Sequence, residues 1–288
     1  ALGRMTGKSP VGAYASFAKP GRRSGFLGFG GWINAIIPVL IVPYYSVIGG
    51  WVIQYLVGYL TGRGQELAAD GYFSSFISDG AATEICFLVF ALFTLGIIFA
   101  GVRNGVERVS KVMMPVLVVL SVMITAYSVT RPGALAGVKY FLVPNPANFS
   151  WMTVVTAMGQ MFYSLSIAMG ILVTFGSYMK KDVSIEDATQ NVEIFDTLIA
   201  IMAGLMIIPA VFAFSGGDPD TLQAGPALMF ITIPKVFASM GLGGAVGVLF
   251  FLLVLFAAVT SSIALTESAV STFQDELGWS RRKATVLV

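Results

Sequence analysis

The chain has 288 residues, 56% of them hydrophobic and only 11% charged, with a mean hydropathy of +0.83. A soluble core of this size needs no such excess, so the chain reads as an integral membrane protein. One cysteine, Cys86, and the absence of histidine exclude an internal disulfide, imidazole metal ligands and histidine proton relays, and a net charge of +2 says little beyond giving no reason to expect a nucleic-acid partner.

From Ala1 the sequence is polar and basic, without the apolar core of a secretory signal, and it reads as part of a longer chain. Six apolar stretches follow, at 26–60, 82–100, 112–129, 149–178, 191–214 and 243–273. Each is long enough for a hydrocarbon core of roughly 30 Å, which takes about 20 helical residues. The first and fourth exceed a perpendicular span; tilt or an interfacial lead-in accounts for the first, and a break is expected in the fourth. That break is placed within 159–170, where Ser164, Ser166, Ala168 and Gly170 lie at a depth that tolerates no loose backbone. A helix opens there only if it lines a protein cavity and binds something. The segment 216–240 carries apolar residues between Pro226 and Pro234, too few to span, and is expected to form a helical, lid-like extracellular loop. The expected fold is one all-α transmembrane domain over 1–288, with six membrane helices.

Loop charge sets the orientation. Thirteen basic residues fall on one side (Arg4, Lys8, Lys19, Arg22, Arg23, Arg103, Arg108, Lys111, Lys180, Lys181 and Arg281–Lys283), and four (Arg63, Arg131, Lys139, Lys235) on the other. The first set belongs inside, so both ends of this chain are expected in the cytoplasm and the chain in the cell (inner) membrane as a multi-pass protein. Glycine pairs such as Gly49-Gly50 and the run Gly241-Leu242-Gly243-Gly244 lack a P-loop lysine and read as sites of close helix packing.

Several segments, in order, resemble the neurotransmitter:sodium symporter family, in its bacterial amino-acid branch. Ala1-Leu2-Gly3-Arg4 is similar to the end of the family's second helix, and Tyr44-Tyr45 with Trp51 to its third. Gly101-Val102-Arg103-Asn104-Gly105-Val106-Glu107-Arg108, with Lys111 and Pro115, is similar to the link between the fourth and fifth, the broken segment to the sixth, and Ala257-Ala258-Val259-Thr260-Ser261-Ser262-Ile263-Ala264 to the eighth. The resemblance implies a LeuT-type fold of five plus five helices in inverted repeat, of which this chain holds the end of helix 2 to the start of helix 9. It also implies that half of each binding site lies on helices outside these residues.

The activity so implied is Na⁺-coupled uptake of a small amino acid by alternating access, with two sodium sites in the complete protein and no covalent chemistry. Sodium is a hard cation that takes oxygen donors. Thr260 and Ser261 are adjacent hydroxyls deep in an apolar helix, with the Ala257 carbonyl on the same side; by resemblance these three belong to one sodium site. Back-bonding of the hydroxyls to the preceding turn is the plain alternative. The other sodium site takes Ser164 and, one alignment gap away, Asp196. A carboxylate within a span is a functional candidate by default, unless it sits in water at the helix end. Chloride-dependent members carry a neutral asparagine there and a serine four residues on; this chain has Asp196 and Ala200, so chloride is not expected to be needed.

For substrate, the resemblance assigns Tyr45 to the amino-acid carboxylate and the carbonyls of Tyr163, Ser164 and Ser166 to the ammonium. Ile41, Ala168, Met169, Ser262 and Leu265 line the side-chain pocket, and their apolar or small character favours an apolar or aromatic substrate. Tyr178 and Asp275 match positions that close the cytoplasmic pathway; an interfacial tyrosine and a solvated acid near Arg281 are the alternative. Two other classes stay open. A proton-coupled transporter of the same fold would use Asp196 as its titrating group, and a non-transporting membrane fragment would bind nothing.

Overall fold

A computed structural model describes residues 1–17, 25–218 and 222–288. Lys19, Arg22 and Arg23 of the inner charge set, and 219–221 of the outer loop, lie outside the described residues. In chain order the α-helices are α1 (Leu2–Thr6), α2 (Pro10–Ala15), α3 (Gly25–Leu60), α4 (Gly64–Leu67), α5 (Tyr72–Ser78), α6 (Gly80–Phe99), α7 (Glu107–Val129), α8 (Ala134–Leu142), α9 (Trp151–Ser164), α10 (Ile171–Tyr178), α11 (Ile185–Ser215), α12 (Ile233–Ala238), α13 (Gly243–Leu277) and α14 (Arg281–Leu287). No strand occurs among the described residues.

Five helices, α3, α6, α7, α11 and α13, are long and apolar enough to cross a membrane. The stretch expected as a sixth span is divided between α9 and α10, of 14 and 8 residues, each too short to cross alone. The fifth stretch begins earlier than its apolar residues do, because Ser184 caps α11 by accepting from Asp187 N, and Glu186 and Asp187 favour the positive end of the helix. With 36 residues α3 is about 54 Å long, well beyond the hydrocarbon, and Pro38 and Pro43 stay within it.

The centre of the bundle is the packing of α3 against α13 and α6, and glycines set its spacing. A Cβ on Gly247 would lie 2.3 Å from the Tyr59 ring, and one on Gly50 would lie 2.7 Å from the Cys86 carbonyl carbon. Lipid tails are as apolar as the side chains, so close backbone approach, and not expulsion from water, holds such helices together. Gly50→Ala is therefore expected to force α3 from α6 and to cost about 1–3 kcal/mol, read as a lowered Tm of the purified full-length protein. Gly96→Ala, with nothing within 4 Å of the added carbon, is the control and leaves Tm unchanged or raised.

The segment 228–238, expected to lie in a lid-like loop, is built into this core. Leu228–Thr232 forms a π-helical turn that runs into α12, and Phe230, Ile233, Val236 and Phe237 are buried. Tyr55 donates its hydroxyl to Phe230 O at 2.7 Å, and the Phe230 ring stacks on Phe73 at 5.3 Å and meets Trp51 edge-on at 5.7 Å. At its edge Gln65 donates to Ala238 O at 3.2 Å and Lys235 pairs with Asp70 at 2.5 Å; the ammonium holds the Asp70 carboxyl below the usual carboxylate range.

Candidate functional site

Between α9 and α10 the helix opens over Leu165–Gly170. Ser166 and Ala168 have φ of 54° and 65°, the two positive values at non-glycine residues in the described chain, and Gly170 follows at 71° before α10 begins. Left-handed backbone at a serine and an alanine is strained, and such strain collects at binding sites. Tyr163 O accepts from Ser166 N at 3.1 Å, while the carbonyls of Ser164 and Ser166 accept no hydrogen bond from the described residues. Two open carbonyls and one shared one therefore stand where three were expected.

Ser164, at the last turn of α9, donates its hydroxyl to Asp196 Oδ1 of α11 at 2.6 Å. The contact brings together the two side chains expected to share a sodium site, and Asp196 is half-buried. A charge-assisted bond of this length fixes the open backbone against a long helix.

On α13, Thr260 Oγ1 lies 3.0 Å from both Phe256 O and Ala257 O, which is the back-bonded arrangement. One hydroxyl proton serves one acceptor at a time, and both hydroxyl lone pairs and part of the Ala257 carbonyl stay open to a cation. Ser261 is exposed and lies beside the Tyr45 hydroxyl of α3. Among the described residues no three carboxylate, imidazole or thiol groups converge, so the donors present are hydroxyl and carbonyl oxygens with one carboxylate, which suits an alkali cation.

Ile41 and Tyr45 of α3 pack with Met169 of the opening and Leu265 of α13 in one apolar cluster that also holds Ile171 and Phe175. Four residues expected in the substrate pocket thus meet. Ser262 is buried with its Oγ unpartnered, whereas Ala168 is exposed. Tyr44 and Tyr163 bring their hydroxyls to 3.4 Å, a contact that links α9 to α3.

The residues expected to close the inner side are both engaged. Tyr178 donates to Glu267 Oε1 at 2.8 Å, and Arg281 grips the same carboxylate with Nη1 at 2.9 Å and Nη2 at 2.5 Å. Arg281 Nε and Nη2 also reach Ile98 O at the end of α6, each at 3.2 Å. Asp275 Oδ2 accepts from Ser9 N at 2.6 Å and so caps α2. Arg4 donates to Lys180 O and Val183 O. These contacts bring Arg4, Lys180 and Arg281 of the inner basic set to one end of the bundle. Glu267, fully buried, is the functional candidate that sequence reasoning missed. The rule that singles out Asp196, an acid inside an apolar helix, applies to it equally.

The sequence profile of the Sodium:neurotransmitter symporter family matches residues 72–288. The chain is 35% identical over 274 residues to an uncharacterized sodium-dependent transporter, YhdH, of Bacillus subtilis, covering 94% of this chain and 59% of the relative. It is 33% identical to an uncharacterized sodium-dependent transporter of Haemophilus influenzae, over 91% of this chain and 57% of the relative. Among solved structures, MhsT in complex with L-phenylalanine superposes with a TM-score of 0.84 at 34% identity, over 99% of this chain and 64% of that one. The chain thus spans about three-fifths of the length of these relatives. With the profile running through most of its length and the fold shared at this level of identity, the chain belongs to the sodium:neurotransmitter symporter family.

Proposed function

We propose that this chain forms the central part of a Na⁺-coupled symporter that takes up a small apolar or aromatic amino acid by alternating access. The observation that carries the reading is the opened helix tied to Asp196: open carbonyls at Ser164 and Ser166, and a carboxylate held on Ser164, stand next to an apolar cluster. In this reading α9 and α10 together make a sixth span, in a five-plus-five inverted repeat completed by helices outside these residues. Both ends face the cytoplasm of the inner membrane, as the gathered basic residues support. The segment 216–240 closes over the outer vestibule from its anchorage on α3 and α13.

The carbonyls of Ser164 and Ser166, with Tyr163 in support, accept from the substrate ammonium, and the Tyr45 hydroxyl donates to its carboxylate. Ile41, Met169 and Leu265 meet the side chain, with Ala168 and Ser262 at its edges. The L-phenylalanine in the MhsT structure supports an apolar or aromatic side chain. Sodium, as co-substrate, is held by Ala257, Thr260 and Ser261 at one site and by Ser164 and Asp196 at the other. Tyr178, with Glu267 and Arg281, closes the inner side, and Asp275 fixes α13 to α2. The sodium-dependent naming of the two bacterial relatives supports sodium over protons as the coupling ion.

Thr260→Val with Ser261→Ala removes two oxygen ligands without added bulk. In the full-length protein, Na⁺-dependent binding is expected to weaken tenfold or more, on the order of 1.4 kcal/mol or above, by scintillation proximity with a labelled apolar amino acid. Unchanged Na⁺ affinity would remove this site from the reading, and uptake driven by pH without Na⁺ would replace sodium coupling with proton coupling.

A further inference from the structure

A groove of about 390 Å³ runs between α6, α7 and α13, walled by Phe93, Val112, Leu255, Phe256 and Val259, with Arg108 at one edge. It opens outward, since Phe93 is 54% and Val112 64% exposed. In a chain that spans a membrane, such a face meets lipid or another helix. The charge at its edge distinguishes the two. Arg108 is exposed and makes no hydrogen bond or ion pair among the described residues, whereas Lys111, on the following turn, is paired with Glu107 at 2.7 Å. The groove thus pairs an apolar channel with one uncompensated guanidinium at the start of a spanning helix. That combination matches an amphiphile with an anionic head.

We propose that this groove binds one anionic phospholipid, an acyl chain lying along Phe93, Val112 and Phe256 and the phosphate on Arg108. A guanidinium presents a planar fork that suits phosphate oxygens, and basic residues between spanning helices are sites for acidic head groups. A zwitterionic lipid offers the same chains and phosphate, but its own cation offsets the attraction. Selectivity for net negative charge is therefore the signature of this site. It stands apart from the opened helix, and none of its lining residues belongs to the substrate or sodium sets.

The test uses full-length protein in a Cys86→Ala background, with Leu92→Cys carrying a bimane; Leu92 adjoins Phe93, is 65% exposed and does not line the groove. Reconstituted in phosphatidylcholine, it is titrated with phosphatidylglycerol or phosphatidylcholine brominated on the acyl chains. Brominated phosphatidylglycerol is expected to reach half-maximal quenching at an about fivefold lower mole fraction, the effect of one basic residue. Arg108→Gln should erase that preference and Arg108→Lys should retain part of it. Equal quenching by the two lipids in the Arg108 protein overturns the proposal without any further variant. So does quenching by neither, which would place another helix over the groove, or a preference that survives Arg108→Gln.

Discussion

Arg281→Met is expected to cost the folded protein about 3–5 kcal/mol, because it leaves Glu267 buried and charged with only Tyr178 as partner. Glu267 is 0% exposed, and three donors converge on its carboxylate at 2.5–2.9 Å, two of them from Arg281. The same substitution also frees the Ile98 carbonyl, one of the orphan acceptors at the end of α6. Removing both charges behaves differently. In Glu267→Gln with Arg281→Met no ion remains to be desolvated, and most of the lost stability is expected to return. Denaturant unfolding of the purified full-length protein measures both variants and the Glu267→Gln single mutant. A double mutant as unstable as Arg281→Met would show that Arg281 acts through packing or through Ile98, and not through the buried charge. If Tyr178, Glu267 and Arg281 close the inner side as proposed, the restored double mutant should still differ from the parent in transport, since of the three side-chain hydrogen bonds on Glu267 only a neutral one with Tyr178 survives; accessibility of a cysteine at Ser271 from the inner side should rise.

What the sequence made legible divides by the range of the interaction. Span positions depend on local apolar content, and five of the six expected stretches appear as continuous long helices. The opening at 165–170 was legible because serines and a glycine in an apolar run are locally incompatible with a lipid-facing helix, and the positive φ values fall inside the stretch named for it. Asp196 was legible as a carboxylate in a span, but its hold on Ser164 depends on how α11 lies against α9, which no local pattern encodes. Glu267 was passed over although it obeys the same rule as Asp196. It sits among Thr266, Ser268 and Ser271, whose hydroxyls make that part of α13 read as polar, and its partner comes from beyond a turn. The segment between Pro226 and Pro234 was legible as short and apolar. Its burial against Trp51, Tyr55 and Phe73 was not, because aromatic contacts across 150 residues and more leave no periodic trace.

Transport by the full-length protein is expected to be indifferent to replacing chloride with gluconate if, as proposed, Asp196 supplies the negative charge at the cation site. The carboxylate is fixed 2.6 Å from Ser164 Oγ, at the end of a helix whose next carbonyls are open. In a partly buried site, where the effective dielectric is far below that of water, two opposite charges a few ångströms apart interact by up to about 4 kcal/mol. Asp196→Asn keeps the shape and a hydrogen-bonding group for Ser164 but removes that attraction, so Na⁺-dependent uptake should fall on the order of a hundredfold, roughly 2.7 kcal/mol. Ala200 lies one turn further along α11, on the same face as Asp196. Asp196→Asn with Ala200→Ser therefore offers a hydroxyl and an amide to an anion where the carboxylate was, and uptake should return in chloride and stay low in gluconate. A helix that tolerated Asp196→Asn with full uptake in gluconate would separate Asp196 from cation binding and leave its contact with Ser164 as a purely structural tie. Strong chloride dependence in the parent protein would also move Asp196 away from the cation, since a fixed carboxylate at the cation site leaves no place for a second compensating anion.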